Sequence, residues 1–326
     1  MSGLKRTTEK NLMVFSGRGY RELSEQVAEG LGTTLVPTQA YDFANTEMYI
    51  RFDESVRGCD AFVLQSHTAP INKWIMEQLI MVDALKRASA KRITVVTPFY
   101  GYARQDKKSR GREPISARLM ADLFKSAGAD RLMAVDLHTD QIQGFFDGPV
   151  DHLQALPILT DYVREKYCAE QLAVVSPDAG RIKVAESWSK RLGGAPLAFI
   201  HKTRDVNQPN QSVANRVIGK VEGRTCILVD DMIDSGGTIC HAADALMNDG
   251  AASVVIAATH AIFSDPAAQR LRDSCAREVI VTNTLPISED KHFDKLKVLS
   301  IAPLLSKAIR EVFEDGSVTS MFDAEA

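Results

Sequence analysis

The sequence predicts an α/β protein of two related domains, each a mainly parallel sheet flanked by helices. Three observations carry this. Short apolar runs alternate with amphipathic stretches along the chain, and that alternation implies parallel strands joined by right-handed crossovers. A chain of 326 residues is long for one hydrophobic core. The two halves also share an order of signals, with Thr97-Pro98 and then Val135-Asp136 in the first, and Ser176-Pro177 and then Val229-Asp230 in the second. The domains are placed at 1–152 and 153–326, with the boundary near Pro149 and Pro157.

In order, Leu12 to Ser16 reads as a strand. Gly17-Arg18-Gly19 leads from it into a helix with Leu23, Val27 and Leu31 on one face. This GxG lacks the third glycine of a dinucleotide fingerprint and reads as a tight turn. Residues 47–52 alternate, with Met48, Ile50 and Phe52 on one side, as a half-buried strand does. Ala61 to Gln65 is the next strand, and Asn72 is placed as the cap of a helix carrying Ile75, Leu79, Val82 and Leu85. A strand from Ile93 to Thr97 follows, then a helix from Ser116 to Ala127 with Leu119, Leu123 and Phe124 inward and Gly128 as its stop. Leu132 to Val135 is a strand that runs into Asp136-Leu137-His138.

In the second half Leu172 to Val175 is a strand, followed by Ser176-Pro-Asp-Ala-Gly180 and a helix with Val184, Ala185, Trp188 and Leu192 on its apolar side. Strands near 197–200, 227–229, 254–257 and 279–281 come next. The closing helix, 303–314, uses Leu305, Ala308, Ile309, Val312 and Phe313, and the sequence leaves open which domain it packs on.

Net charge is −3, which argues against a protein that binds nucleic acid as a whole but not against a local basic site. The five cysteines are scattered, odd in number and form no CxxC, so they read as reduced thiols, not as a disulfide frame or zinc site. No apolar run reaches membrane-spanning length and no signal-like apolar core is seen near the N-terminus. The expectation is a cytoplasmic protein without membrane or nucleic-acid partners.

The most informative stretch is Cys226-Ile-Leu-Val-Asp-Asp-Met-Ile-Asp-Ser-Gly-Gly-Thr238. An apolar strand is followed by Asp230 and Asp231, then Asp234, then Ser235, Gly236, Gly237 and Thr238, after which helical periodicity begins. The acids and glycines are thus expected on the loop between a strand's carboxyl end and a helix N-terminus. Glycines let backbone N–H groups approach a ligand, and the helix dipole favours an anion there. Carboxylates just upstream suit ribose hydroxyls or Mg²⁺, so the stretch reads as a sugar-phosphate cradle. Three other segments bear on chemistry. Tyr102 to Arg112 is a basic loop after a strand, suited to a polyphosphate or simply solvated. His138 and Asp178 follow strands at corresponding places in the two halves, where each could serve phosphate or metal, or only cap. His201 to Asn210 is poor in apolar residues, and Lys202 and Arg204, two apart, face the same way if the segment is extended.

Together these pieces resemble the class I ribose-phosphate diphosphokinases, also called phosphoribosyl-diphosphate synthetases, from about Met13 to Phe313. The specific matches are Tyr102-Ala-Arg-Gln-Asp106, Val135-Asp-Leu-His138 with Gly144-Phe-Phe-Asp147, Ser176-Pro-Asp-Ala-Gly180 and Val229-Asp-Asp-Met-Ile-Asp234. The resemblance implies two phosphoribosyltransferase-type domains and transfer of the diphosphoryl group of ATP to the C1 hydroxyl of ribose 5-phosphate. The products would be AMP and a phosphoribosyl diphosphate that feeds nucleotide, histidine and tryptophan biosynthesis. It implies that Phe43, Asn45 and Glu47 hold adenine from a neighbouring subunit, and that Arg104, Gln105 and Asp106 contact ATP. His138 would bind ATP and, with Asp178, Mg²⁺. Lys202 and Arg204 would be catalytic, on a flexible loop. Asp230, Asp231, Asp234, Ser235, Gly236, Gly237 and Thr238 would bind ribose 5-phosphate. Hexamers built from dimers, activation by inorganic phosphate and inhibition by ADP are also implied. The chain departs from many relatives in having Gly180-Arg181 for Gly-Gly, Ser235 for Thr, and Asp205 after Arg204. Two other readings stay in view: a non-catalytic nucleotide-binding regulator, and a phosphoribosyltransferase, which would consume the product.

Overall fold

The computed structural model describes residues 10–203 and 214–323. The chain divides into two compact units, one of Met1–Leu153 with Ala302–Ala326 and one of Gln154–Ile301.

The first unit begins with β1 (Leu12–Ser16), α1 (Arg21–Leu31) and the antiparallel pair β2 (Thr38–Asp42) and β3 (Met48–Phe52). It continues through β4 (Asp60–Leu64), α2 (Ile71–Arg87), β5 (Arg92–Thr97), α3 (Ser116–Ala127), β6 (Arg131–Val135) and β7 (Val150–Leu153). Its five-stranded sheet has the order β1-β4-β5-β6-β7, and every pairing is parallel. Such strands are buried on both faces, which is why β4 and β5 read as near-continuous apolar runs. Phe15, Val63, Leu85, Val95, Phe124 and Leu132 fill the core. Gly17 is a tight turn as expected: a Cβ there would lie 2.4 Å from the Gln65 side chain.

The second unit holds α4 (Leu156–Lys166), β8 (Leu172–Ser176), α5 (Ile182–Arg191), β9 (Leu197–Thr203) and β10 (Ala214–Gly219). It goes on through β11 (Thr225–Ile233), α6 (Gly237–Asn248), β12 (Ser253–Ala261), α7 (Ala267–Asp273), β13 (Glu278–Thr282) and β14 (Leu296–Leu299). The seven strands lie in the order β10-β9-β8-β11-β12-β13-β14, parallel except for the antiparallel β9–β10 edge. Val175, Leu228, Ile256, Val281 and Leu246 are central to its core.

The closing helix α8 (Ala302–Phe313), followed by the short α9 (Ser320–Asp323), belongs to the first unit and lies against α1. The approach is close because Gly30 has no side chain: a Cβ there would meet Ser306 Oγ at 2.5 Å. Ser306 Oγ donates to Val27 O at 3.1 Å across the contact.

Two local expectations are corrected. Asn72 lies inside α2, behind an N-cap at Pro70, and its Oδ1 accepts a hydrogen bond from the Tyr102 hydroxyl at 2.5 Å. In α3 the buried stripe is Ala117, Met120, Ala121 and Phe124, while Leu119 and Leu123 are 57% and 40% exposed. The stripe at i, i+3, i+4 and i+7 excludes positions 119 and 123, which fall on its flank. In α1, Leu23 and Val27 lie buried on the expected face beside Ser24 and Ala28, and Leu31 closes the helix partly covered.

Candidate active site

The acid-and-glycine stretch forms the carboxyl end of β11 and the start of α6. The strand is longer than expected and runs through Asp230 and Asp231 to Ile233, so the acid pair sits on the strand itself. The reason lies in the neighbours: β8 stops pairing at Leu228↔Val175, but β12 continues alongside through Asp230↔Ala258 and Ile233↔Ala261. Ladder bonds from one side keep the backbone extended past the edge of the other strand. Asp234 and Ser235 then form the turn, and Gly236, at φ 75°, is the N-cap of α6. That left-handed conformation suits glycine. No side chain caps α6, so the unpaired amides of its first turn, from Gly237 and Thr238 onward, form a ready anion site.

Two arginines brace this turn. Arg270 Nη1 donates to Ser235 O at 2.9 Å, and lies 3.4 Å from where a Cβ on Gly237 would stand. Arg181 reaches the acid pair, with Nη2 2.8 Å from Asp231 Oδ2 and Nε 3.7 Å from Asp230 Oδ1. The Asp231 amide donates to Asp230 Oδ1 at 2.9 Å. Burial, and then the charge of Asp231, push the Asp230 carboxyl well above the usual range, against the pull of Arg181. Sequence reading marked Arg181 only as a departure; its place on the acids was visible in no local pattern.

After β8, Ser176 Oγ donates to Asp178 O at 2.6 Å, and Asp178 Oδ1 accepts the Gly180 amide at 2.8 Å, capping a 3-10 turn over Ala179–Arg181. Lys202 lies on β9 with its backbone opposite Asn215 of β10. Arg204 lies outside the described residues.

In the first unit, the loop after β5 is fixed at several points. Gln105 N donates to Tyr102 O, and Ser116 Oγ donates to Gln105 Oε1 at 2.7 Å. Arg104 is exposed, whereas Asp106 is only 5% exposed. Asp106 Oδ2 accepts from Thr139 Oγ1 at 2.7 Å and from Gln141 Nε2 at 2.6 Å. Asp106 therefore ties this loop to the segment that begins at His138. That histidine is half-buried and stands three residues beyond β6, not at its end, because the backbone turns at Asp136, φ 39°. Beneath the loop, His67 Nδ1 accepts the Gly101 amide, an anchor that sequence reading missed.

Phe43, Asn45 and Glu47 form the turn between β2 and β3. Asn45 Oδ1 accepts the Glu47 amide at 3.2 Å and Phe43 N donates to Glu47 O at 2.7 Å. Phe43 is 47% exposed, packed edge-on to Tyr41 with ring centroids 5.4 Å apart. A large apolar ring held at an exposed turn is suited to stacking.

A mainly parallel α/β scaffold that carries such an acid-flanked glycine turn at a helix N-terminus is of the phosphoribosyltransferase type. Residues 12–128 match the family described as the N-terminal domain of ribose phosphate pyrophosphokinase, and residues 196–323 match the phosphoribosyl synthetase-associated domain. The chain is 64% identical to the ribose-phosphate pyrophosphokinase of Streptomyces coelicolor over 325 residues, covering 100% of each chain. It is 67% identical to that of Mycobacterium tuberculosis over 317 residues, covering 97% of each. The crystal structure of phosphoribosylpyrophosphate synthetase from Mycobacterium smegmatis superposes with a TM-score of 0.90 at 66% identity, covering 94% of this chain and all of that one, 100%. The chain belongs to the ribose-phosphate pyrophosphokinase family.

Proposed function

We propose that the protein transfers the diphosphoryl group of ATP to the C1 hydroxyl of ribose 5-phosphate, giving 5-phospho-α-D-ribose 1-diphosphate and AMP. The observation that carries this reading is the acid pair of β11 standing beside the uncapped N-terminus of α6 in a chain of this family. The first-turn amides of α6, with Ser235, Gly236, Gly237 and Thr238, bind the 5-phosphate, while Asp230, Asp231 and Asp234 accept hydrogen bonds from ribose hydroxyls.

ATP is taken by Arg104, Gln105, Asp106 and His138, with Phe43, Asn45 and Glu47 holding adenine from a neighbouring copy. The exposure of Phe43 and the anchoring of Asp106 support these roles. The C1 oxygen attacks the β-phosphorus, the bond from that phosphorus to the α,β-bridging oxygen breaks, AMP leaves and the hydroxyl proton is released. Lys202 and Arg204 stabilise the charge that develops on the transferring group.

Mg²⁺ enters with ATP. Among the described residues no cluster of three or more His, Cys, Asp or Glu could hold a metal ion. His138 and Asp178 are the protein's candidate ligands, one imidazole and one carboxylate, and Mg²⁺ is commonly held by one or two protein ligands together with substrate phosphates. When bound it neutralises phosphate charge and orients the polyphosphate.

We also propose a homo-oligomer, a hexamer built from dimers, activated by inorganic phosphate and inhibited by ADP. We propose a cytoplasmic setting, in keeping with five cysteines that are all free thiols; separately, no described helix is long and apolar enough to cross a membrane. The test is ribose 5-phosphate-dependent release of AMP from Mg-ATP. Equimolar AMP and sugar diphosphate are expected; release of ADP with a ribose bisphosphate, or no reaction, refutes the reading.

A further inference from the structure

Arg181 comes from the turn after β8, yet its guanidinium lies on two consecutive carboxylates of β11. The Arg181 side chain is 17% exposed, that of Asp231 8% and that of Asp230 21%, so the cluster is poorly solvated. The same short turn holds Asp178, whose carboxylate caps it through the Gly180 amide. One short turn thus carries both a candidate polyphosphate ligand and the cation that faces the acid pair. Adjacent carboxylates in such a place repel, and a proton on one would turn an acceptor into a donor. A guanidinium fork spans two carboxylates, which a point charge does not.

We propose that Arg181 is a positioning residue for the pentose, fixing Asp230 and Asp231 side by side against neighbouring hydroxyls of ribose 5-phosphate. This rests on the reading of the turn as the ribose-phosphate site. Arg181 touches the acids and acts through them, so its loss falls on one substrate and not on the other.

The test is steady-state kinetics of the full chain with Mg-ATP and ribose 5-phosphate, for the wild type, Arg181→Met and Arg181→Lys, with melting temperatures alongside. Arg181→Met is expected to raise KM for ribose 5-phosphate about tenfold or more, from the loss of a charged hydrogen bond. KM for Mg-ATP should stay within about threefold, since Asp178 is held by the Gly180 amide and not by the Arg181 side chain, which reaches the acid pair. Arg181→Lys keeps the charge but not the fork and should recover part of the loss. In an Asp231→Asn background the effect of Arg181→Met should shrink, because the carboxylate that Arg181 holds at 2.8 Å has lost its charge. Equal KM for ribose 5-phosphate in all forms, an equal rise in both KM values, or an undiminished effect in the Asp231→Asn background overturns the proposal. If Arg181→Met fails to fold, Arg181→Lys decides: a selective rise supports the proposal and wild-type kinetics overturn it. A wild type that turns over no ribose 5-phosphate sinks the underlying reading instead.

Discussion

His67 Nδ1 accepts the backbone N–H of Gly101 at 2.8 Å, directly ahead of the loop that holds Arg104 and Gln105. Its Nε2 lies 3.0 Å from Gln78 Oε1, and Gln78 Nε2 donates to Val63 O and Val96 O. The only consistent arrangement is a neutral imidazole with its proton on Nε2. The ring is 1% exposed and stacks on Phe124 with centroids 5.9 Å apart.

Burial lowers the His67 pKa from 6.5 to about 4, with the Gln78 hydrogen bond opposing. The sign follows from linkage. The unfolded chain takes up this proton first, so the folded state keeps its full advantage above pH about 6.5 and loses it as pH falls toward about 4. At about 1.4 kcal/mol per pH unit the complete loss is about 3 kcal/mol. Denaturant unfolding followed from pH 7 to 4 should show this component in the wild type and lack it in His67→Gln, whose baseline stability is lower. An identical pH dependence in both proteins would count against the neutral, buried imidazole.

Asp106→Ala removes the shared acceptor of Thr139 and Gln141 in a buried setting. Leaving such donors unpaired costs about 1–3 kcal/mol. Because Asp106 links two segments proposed to take ATP, KM for ATP should rise while KM for ribose 5-phosphate holds. Unfolding and kinetics together check this; an unchanged KM for ATP would limit Asp106 to a structural part.

Gly219→Ala should destabilise the β9–β10 edge. Gly219 has φ 130°, and a Cβ there would stand 2.6 Å from Leu197 O and 2.7 Å from Ala198 Cα, both backbone atoms of β9. Strain and overlap together should exceed about 2 kcal/mol. Since β9 carries Lys202, kcat should fall with stability. A variant as stable as the wild type would show that the strand edge adjusts freely.

Lys202→Ala should lower kcat by about 10² with ribose 5-phosphate binding near normal, as expected for charge stabilisation in the transition state. Asp234→Ala should do the reverse, weakening ribose 5-phosphate binding. Substrate titrations of both variants separate the two roles, and an unaltered kcat would remove Lys202 from the mechanism.

The parallel strands were legible because burial on both faces writes uninterrupted apolar runs, as in Ile227-Leu228-Val229. Val150-Asp-His-Leu153 and Ala214-Asn-Arg-Val-Ile-Gly219 were not, since short or edge strands need no such run. The turn at Gly236 was visible in its chemistry, but the strand's extension through Asp230 and Asp231 depends on β12, far along the chain. The grip of Arg181 on those acids, of Asp106 on Thr139 and Gln141, and of His67 on Gly101 is long-range side-chain geometry that has no period to read. Leu119 and Leu123 are apolar yet lie out of phase with the inward face, because the buried stripe is set by Ala117, Met120, Ala121 and Phe124.

The central claim is attack by the C1 hydroxyl oxygen of ribose 5-phosphate on the β-phosphorus of ATP. A single turnover with ribose 5-phosphate carrying ¹⁸O at C1, read by ³¹P NMR, tests it directly. The account predicts that the label stays on C1 and appears as an isotope-shifted β-derived phosphorus in the sugar diphosphate, with unlabelled AMP released in equal amount. A sugar diphosphate whose C1 oxygen comes unlabelled from ATP, with the ¹⁸O lost, would mean displacement at carbon and would contradict the account.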